Sequence, residues 1–347
     1  MPGVPPEGTR AGVSGFARPR FWIIVVLGLA SVVVGGVLSL GLGTERIAPI
    51  DVVHHLLSEP DPSDDTAFQA TIVREIRLPR VIVATMVGAA LAVAGVLLQG
   101  VMRNPLAAPN VVGVTAGAGL AATIVIALGG AAAIYLPPAA FVGALAAGLC
   151  VYVLSWVPGA GTTPVRMVLA GVAITAVLTA LTSTVMISSN RAQQAALWMA
   201  GTLTGASWIE LRLIAPYVFV GLLAAVPLVR SLDVLQLGEG SARSLGVRTE
   251  RARFLAIGLA SLLAGAGVAV AGLIGFVGLI VPHVCRLLLG PRHGPLLPAA
   301  MVLGAALLVW ADLGARIVGD RVPVGVLTAL LGGPYFLVLL RRARMIG

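Results

Sequence analysis

The charged residues with the clearest chemistry are three closely spaced arginines, Arg74, Arg77 and Arg80, at the start of a long apolar segment. A guanidinium group is planar and pairs with a carboxylate through two parallel hydrogen bonds. The cluster therefore predicts a surface that binds carboxylates. Two alternatives stay open: the acidic segment Glu45–Asp65 neutralises the arginines, or their side chains extend toward lipid headgroups.

Residue types exclude several kinds of catalysis. All 23 basic residues are arginine. A phosphate-binding P-loop requires a lysine, so the chain is not itself a P-loop ATPase and any coupling to ATP must come from a partner. The sequence also lacks the G-x-S-x-G and H-E-x-x-H motifs and any Cys/His cluster at metal-ligand spacing. We therefore expect no enzymatic activity, no cofactor and no metal site.

The elements that position these residues are expected to be membrane-spanning helices. Apolar residues make up 58% of the chain and charged residues 11%, and the mean hydropathy is +1.01. This composition is typical of a polytopic membrane protein surrounded by lipid. Polar and charged breaks predict an all-α fold of about ten transmembrane helices at residues 22–43, 80–101, 112–131, 139–157, 167–188, 211–229, 254–272, 273–289, 296–313 and 323–340. The boundary between spans seven and eight has glycines but no charge, so nine and eleven helices are the alternatives.

The arginines also predict the orientation of the chain. With the N-terminus inside, fifteen arginines lie on the inner side and eight on the outer side, as the positive-inside rule requires. Both termini are then cytoplasmic, and the protein is expected in the cell (inner) membrane. The basic pI is explained without nucleic acid as a partner.

This orientation defines the predicted domain organisation. A transmembrane domain at 22–340 is expected between cytoplasmic tails at 1–21 and 341–347. Its two longest loops are an external acidic loop at 44–70 and a cytoplasmic loop at 231–253.

Secondary transport is the main alternative from another class. Carriers driven by protons or sodium usually place Asp, Glu or His inside their spans. Here the acidic residues fall in tails, loops or span ends, and Asp312, beside Arg316, comes closest to a span interior. Only His283 lies within a span, next to Pro282, where it is expected to bond a carbonyl freed by the proline. The sequence therefore favours a passage whose energy comes from elsewhere.

The segment Arg77–Gly119 carries a family resemblance. It reads RLPRVIVATMVGAALAVAGVLLQGVMRNPLAAPNVVGVTAGAG, an apolar span followed by an Asn-Pro-Leu-Ala break. It resembles the permease subunits of ABC importers for iron-siderophore, heme and cobalamin (FecCD-type, type II importers), and the resemblance covers residues 22–340. It implies a dimer of identical or homologous permeases around a central path, a cytoplasmic ATP-binding subunit and an extracytoplasmic substrate-binding protein.

The same resemblance gives the outer arginines a role. Residues matching Arg77, Arg80 and Arg316 dock acidic side chains of the binding protein in this family. The chain departs from the family pattern at GDRVPVG, where Arg321 stands in place of the usual acidic residue. This difference is expected to alter which binding protein fits.

The cytoplasmic loop 231–253 carries apolar residues among charges. Such residues need a protein surface to cover them, although a solvated connector is the alternative. The loop contains the pattern LG-x-x-x-A-x-x-LG, which resembles the coupling helices that seat these permeases on their ATPase subunits. The coupling residues implied are Leu237, Gly238, Ala242, Leu245 and Gly246.

The resemblance also points to a gate and a cargo. Val114–Gly119 and the GTTPV loop Gly161–Val165 are expected near the inner gate, although the polar residue that the family often carries near Ala116 is absent. The predicted gate and pathway residues are Asn104, Pro105, Thr115, Thr162 and Thr163. A ferric-siderophore-type iron chelate is the expected cargo, with heme and cobalamin as alternatives that the sequence does not separate.

Overall fold

The computed structural model describes residues 17–43, 45–57, 67–159, 161–319 and 322–343, and these are mostly helical. Within them, β pairing is limited to one isolated bridge between Val157 and Gly161. A π-helix spans Ile72–Arg77, and a 3-10 helix spans Gly130–Tyr135. The α-helices are α1 Ala17–Gly41, α2 Pro49–Leu57, α3 Ala67–Thr71, α4 Leu78–Met102, α5 Val114–Leu128, α6 Leu136–Ser155, α7 Pro164–Ile187, α8 Ala192–Met199, α9 Trp208–Ala225, α10 Leu228–Leu235, α11 Glu239–Ser244, α12 Thr249–Ala271, α13 Val277–Leu289, α14 His293–Val318 and α15 Val324–Ala343.

Ten of these helices correspond to the ten predicted spans. Seven described helices are long and apolar enough to cross a membrane, and α5, α13 and α15 contribute three shorter apolar helices. The prediction of an all-α polytopic protein is confirmed. The bounds differ mainly at the second span, since α3, the π-helix and α4 form one continuous helix, Ala67–Met102, whereas the predicted span begins at residue 80.

The core is built around α4, which packs against α12, α13 and α14. Its backbone comes unusually close to α13, because a Cβ added at Gly95 would lie 1.9 Å from the carbonyl oxygen of Gly278. Only glycine fits such a contact, and small residues let membrane helices approach in this way. The predicted boundary between spans seven and eight lies between α12 and α13. Gly272 (φ +66°) ends α12 and Phe276 (φ +67°) precedes α13.

In contrast, α7 is the least packed of the long helices. Only 11% of its apolar stretch is buried, compared with 78% for the helix that contains α4. Several of its hydroxyl groups each donate to the carbonyl four residues earlier: Thr182, Ser183, Thr184 and Ser188. The helix therefore presents an uncovered face that carries hydroxyl groups.

The bundle has two ends, named here by their short helices. The α2 end carries α2, the π-helix, and the ends of α1 and α14, whereas the α11 end carries α10, α11 and the starts of α12 and α14. At the α11 end, His293 anchors α10 to α14, because its backbone N–H and its Nδ1 each lie 2.7 Å from Asp233 Oδ1. Most of the predicted loop 231–253 is helical, because α10, α11 and the start of α12 occupy it.

Candidate docking and coupling sites

At the α2 end, a buried carboxylate holds two of the predicted docking arginines. Arg80 donates to Asp312 through two bonds, from Nη2 to Oδ1 at 2.8 Å and from Nε to Oδ2 at 3.0 Å. Arg316, one helical turn after Asp312, approaches its Oδ2 at 3.4 Å and donates to the Ser39 carbonyl at 3.1 Å. Asp312 is 1% exposed and the Arg80 side chain 15%. We call these three residues the Asp312 cluster.

The third predicted docking arginine, Arg77, binds the backbone. Its Nη1 donates to the carbonyl of Leu40 at 2.6 Å, and its Nη2 to the carbonyl of Glu45 at 2.5 Å. The missing side chain of Gly43 makes room for this guanidinium, since a Cβ there would lie 2.7 Å from Nη2. Arg77 therefore ties the end of α1 to the continuous helix Ala67–Met102.

These contacts bear on how the arginine charges are compensated. Arg80 pairs with Asp312 on α14, outside the acidic segment Glu45–Asp65, and neutralisation by that segment stays an alternative. Residues 58–66 and Arg321 lie outside the described part of the chain. Among the predicted docking residues Arg80 keeps the most solvent access, and docking itself stays a prediction.

At the α11 end, the predicted coupling residues divide by exposure. Leu237 and Leu245 are 65% and 63% exposed, whereas Ala242 between them is fully buried. Gly238 (φ +102°) precedes α11 and Gly246 (φ +79°) follows it, so both glycines adopt positive φ at the turns. The loop therefore presents two large apolar side chains on either side of a short helix that is anchored by its small residue.

Next to α11 lies a buried charged group that the sequence analysis did not identify. Arg253 on α12, 1% exposed, donates through Nη2 to Glu239 of α11 and through Nη1 to the carbonyl of Thr162. The same Nη1 bonds Glu250 Oε1 at 3.0 Å, and Glu250 accepts the Thr162 N–H at 3.1 Å. We call these four residues the Arg253 cluster. The hydrogen bond from Arg253 lowers the pKa of Glu239 below its ordinary value of 4.5.

The predicted gate residues lie in two loops. Asn104 and Pro105 are exposed in the turn after α4, where Asn104 Oδ1 accepts the Leu106 N–H at 2.9 Å. Thr162 is buried in the Arg253 cluster, and Thr163 is the N-cap of α7, its side chain accepting the Arg166 N–H at 3.4 Å.

The two loops share a neighbour, since each lies against α7. Thr163 precedes α7 directly, and Gly171 packs on the chain that follows Asn104, where a Cβ would lie 2.1 Å from the Val111 carbonyl oxygen. Thr115 is half-buried in the first turn of α5. The predicted gate residues therefore do not form one cluster, and of the five only Thr162 and Thr163 directly precede the uncovered helix.

A polar link also joins α4 to α13. Arg286 donates to Gln99 Oε1, and Gln99 Nε2 donates to the Leu279 carbonyl at 3.2 Å. This arrangement satisfies a buried amide inside the apolar core. Gln99 is therefore a structural residue of the α4–α13 contact.

The comparisons with known sequences agree on one family. The pattern of the FecCD transport family matches residues 31–342. The chain is 44% identical over 271 residues to the cobalamin import system permease protein BtuC of Halobacterium salinarum, spanning 78% of this chain and 73% of that protein. It is 41% identical to the Fe(3+)-citrate import system permease protein YfmE of Bacillus subtilis, spanning 93% of this chain and 96% of that one.

Solved structures agree with the sequence comparisons. A solved ABC transporter, assigned to the metal-chelate type and captured in an inward-facing conformation, superposes with a TM-score of 0.81 at 31% identity, over 92% of this chain and 99% of that one. PsaBC from Streptococcus pneumoniae in complex with Fab gives a TM-score of 0.54 at 16% identity, over 75% of this chain and 90% of that one, a likeness of fold alone.

Proposed function

The chain belongs to the FecCD transport family and is a permease subunit of an ABC importer, and we propose that it carries a ferric chelate of the siderophore type. The main support for this cargo is the similarity to YfmE, the ferric-citrate permease, over nearly the whole of both chains. Iron-hydroxamate and iron-dicitrate permeases from Bacillus subtilis and Escherichia coli support the same choice.

Cobalamin is the second candidate cargo. The cobalamin permease of Halobacterium salinarum has the higher identity, 44%, but that match spans 78% of this chain. Ferric chelates and cobalamin are both large metal complexes whose metal is enclosed by ligand atoms. A path lined by apolar and hydroxyl groups suits either, so the uptake measurement must distinguish them. The same holds for heme, the remaining alternative.

The proposed assembly places one partner at each end of the bundle. An ATP-binding subunit covers Leu237 and Leu245 at the α11 end, which then faces the cytoplasm together with both termini. A substrate-binding protein docks at the α2 end, where a partner carboxylate competes with Asp312 for Arg80, and Arg77 and Arg316 add positive potential from beneath. The chain itself performs no catalysis, because the energy comes from the ATP-binding subunit.

A second permease, identical or homologous, completes the path. The supporting feature is α7, whose apolar stretch is 11% buried in the isolated chain and whose exposed face carries Ser183, Thr184 and Ser188. Hydroxyl groups suit a surface shared with a partner helix or with a water-filled path. The path is therefore proposed to run between the α7 helices of two permeases, with the predicted gate loops at its α11 end.

The function is tested by uptake into proteoliposomes that contain the permease, its ATP-binding subunit and its binding protein. We expect ATP-dependent accumulation of iron-55 supplied as ferric citrate or a ferric hydroxamate, and none with an ATP-binding subunit unable to hydrolyse ATP. Labelled cobalamin and heme serve as competing cargos. Uptake of cobalamin or heme but not of iron chelates would replace the proposed cargo, and uptake without ATP would overturn the importer class.

A further inference from the structure

The Arg253 cluster joins three segments that are distant in the sequence. Arg253 is the fifth residue of α12, Glu239 begins α11, and Thr162 lies in the loop before α7, 91 residues from Arg253. Among the described residues, Arg253 has the largest side chain that is less than 2% exposed. A buried charge is costly to place unless its partners are held in position, so the cluster fixes the three segments relative to one another.

The two terminal nitrogens of Arg253 bind two different segments, α11 and the loop before α7. The Nη2 arm holds the carboxylate of Glu239 in α11, the helix between the two exposed leucines. The Nη1 arm holds the backbone of Thr162, and Glu250 grips the same residue through its N–H and its hydroxyl, both at 3.1 Å. The loop residue is therefore bound on both its donor and its acceptor side.

The grip on Thr162 passes directly to α7. The next residue, Thr163, is the N-cap of α7, so a displacement of Thr162 moves the first turn of that helix. Because only 11% of the apolar stretch of α7 is buried within this chain, contacts inside the chain offer little resistance to such a movement, whereas α12, at 67% buried, is held by its neighbours. A displacement of α11 can therefore pass through the Arg253 cluster to α7, the long helix that is least buried within this chain.

We propose that Arg253 is the positioning residue that transmits motion of α11 to the gate loop and α7, through the Glu239 carboxylate on one side and the Thr162 carbonyl on the other. The inference rests on the proposed function, because α11 moves only if an ATP-binding subunit docks there. Arginine suits this role since its planar fork binds two partners in fixed directions. A lysine has no such fork.

The test measures distance and coupling in the complete complex. Spin labels are placed at Ser244, exposed in α11, and Val165, exposed in the first turn of α7. In the wild type we expect one narrow distance distribution, both without nucleotide and with a non-hydrolysable ATP analogue, because the cluster moves the two sites together. Arg253→Met should broaden the distribution when the analogue binds, and it should raise the ATP hydrolysed per iron-55 transported by about tenfold.

Two further variants serve as a control for Arg253→Met and as a second test of the proposal. Arg251→Met removes an exposed arginine two residues away on the same helix and should leave both readouts unchanged. Glu239→Gln keeps the shape of a side chain that is 30% exposed, so it decides the case if Arg253→Met does not fold. A narrow distribution and wild-type coupling in the folded variant would overturn the proposal. The spin-label distance can be measured without transport of a cargo. An incorrect cargo would therefore appear separately, as the absence of iron-55 uptake by the wild type.

Discussion

Asp312 on α14 and Arg80 on α4 form a side-on ion pair across 232 residues of sequence, with Nη2–Oδ1 at 2.8 Å and Nε–Oδ2 at 3.0 Å. Arg316 approaches the same carboxylate, so two positive charges share one negative charge in a nearly buried site. The cluster therefore keeps a net positive charge beneath the α2 end. In the proposed docking, a carboxylate of the binding protein would compete with Asp312 for Arg80.

The first prediction concerns the stability of this cluster. Asp312→Asn keeps the side-chain shape but leaves Arg80 and Arg316 without a buried counter-charge, and we expect a loss of roughly 3–5 kcal/mol in the free energy of unfolding. Thermal unfolding of the detergent-solubilised permease measures it. Asp51→Asn, in exposed α2 at the same end, should have little effect. Equal midpoints for wild type and Asp312→Asn would contradict the prediction.

The second prediction concerns docking of the binding protein. Arg80→Glu should weaken its affinity for the reconstituted permease by about fivefold, because a partly exposed pair contributes about 1 kcal/mol. The affinity of the wild type should fall with salt more steeply than that of the variant. Arg46→Gln, an exposed arginine at the same end, is the control. Rescue by a reversed charge on the binding protein would identify Arg80 as the contact, and unchanged affinity in a folded variant would exclude it.

The third prediction concerns the ATP-binding subunit. Leu237→Asp or Leu245→Asp should weaken its affinity about ten- to a hundredfold, because burial of a leucine side chain contributes roughly 1.5–3 kcal/mol. Co-purification and stimulated ATP hydrolysis measure the loss. Ser244→Asp adds the same charge at an exposed site of α11 while keeping both leucines, and it should bind nearly normally. If all three variants behave alike, the apolar contact is not what holds the subunit.

The fourth prediction concerns orientation. In a background where Cys150 and Cys285 are replaced by alanine, a cysteine at Asp51 should react with a membrane-impermeant maleimide added outside intact cells. Cysteines at Gly240 and Gly294 should react only after the membrane is opened. The opposite pattern would invert the proposed topology and exchange the two docking ends.

The fifth prediction concerns pH. Because Arg253 lowers the pKa of Glu239 below 4.5, the stabilisation by this carboxylate is present above pH 4.5 and is lost as the pH falls through the lowered value. Wild type should therefore unfold at a higher temperature than Glu239→Gln at pH 7, and the gap should close in acid. A gap that stays constant across this range would show that the charge of Glu239 is not what stabilises the cluster.

The membrane architecture could be predicted because most spans are marked by a local run of apolar residues. A helix that must cross about 30 Å of hydrocarbon needs about 20 apolar residues in a row, and seven described helices meet this condition while three shorter apolar helices complete the ten. The continuation of the second helix back to Ala67 was not predicted, since Arg74, Glu75 and Arg77 interrupt the apolar run there.

The charged contacts could not be predicted in the same way. The pairing of Arg80 with Asp312 depends on how α4 packs against α14, and no local pattern encodes it. Arg253 ends a run of charges, Arg248 to Arg253, that resembles a solvated loop. Its spacing of three residues from Glu250 was the one local signal of a pair. The exposure of Leu237 and Leu245, by contrast, agrees with the pattern from which their role was predicted.

The satisfied hydroxyls of α7 bear on how the protein is made. Because Ser183, Thr184 and Ser188 on the uncovered face each donate to a carbonyl four residues earlier, none of these three hydroxyl donors lacks a hydrogen bond when lipid surrounds the face. These hydroxyl groups therefore add no hydrogen-bond penalty to a single copy in the bilayer. The proposed pairing of two permeases then need not occur during translation, and each copy could meet its partner later by lateral diffusion.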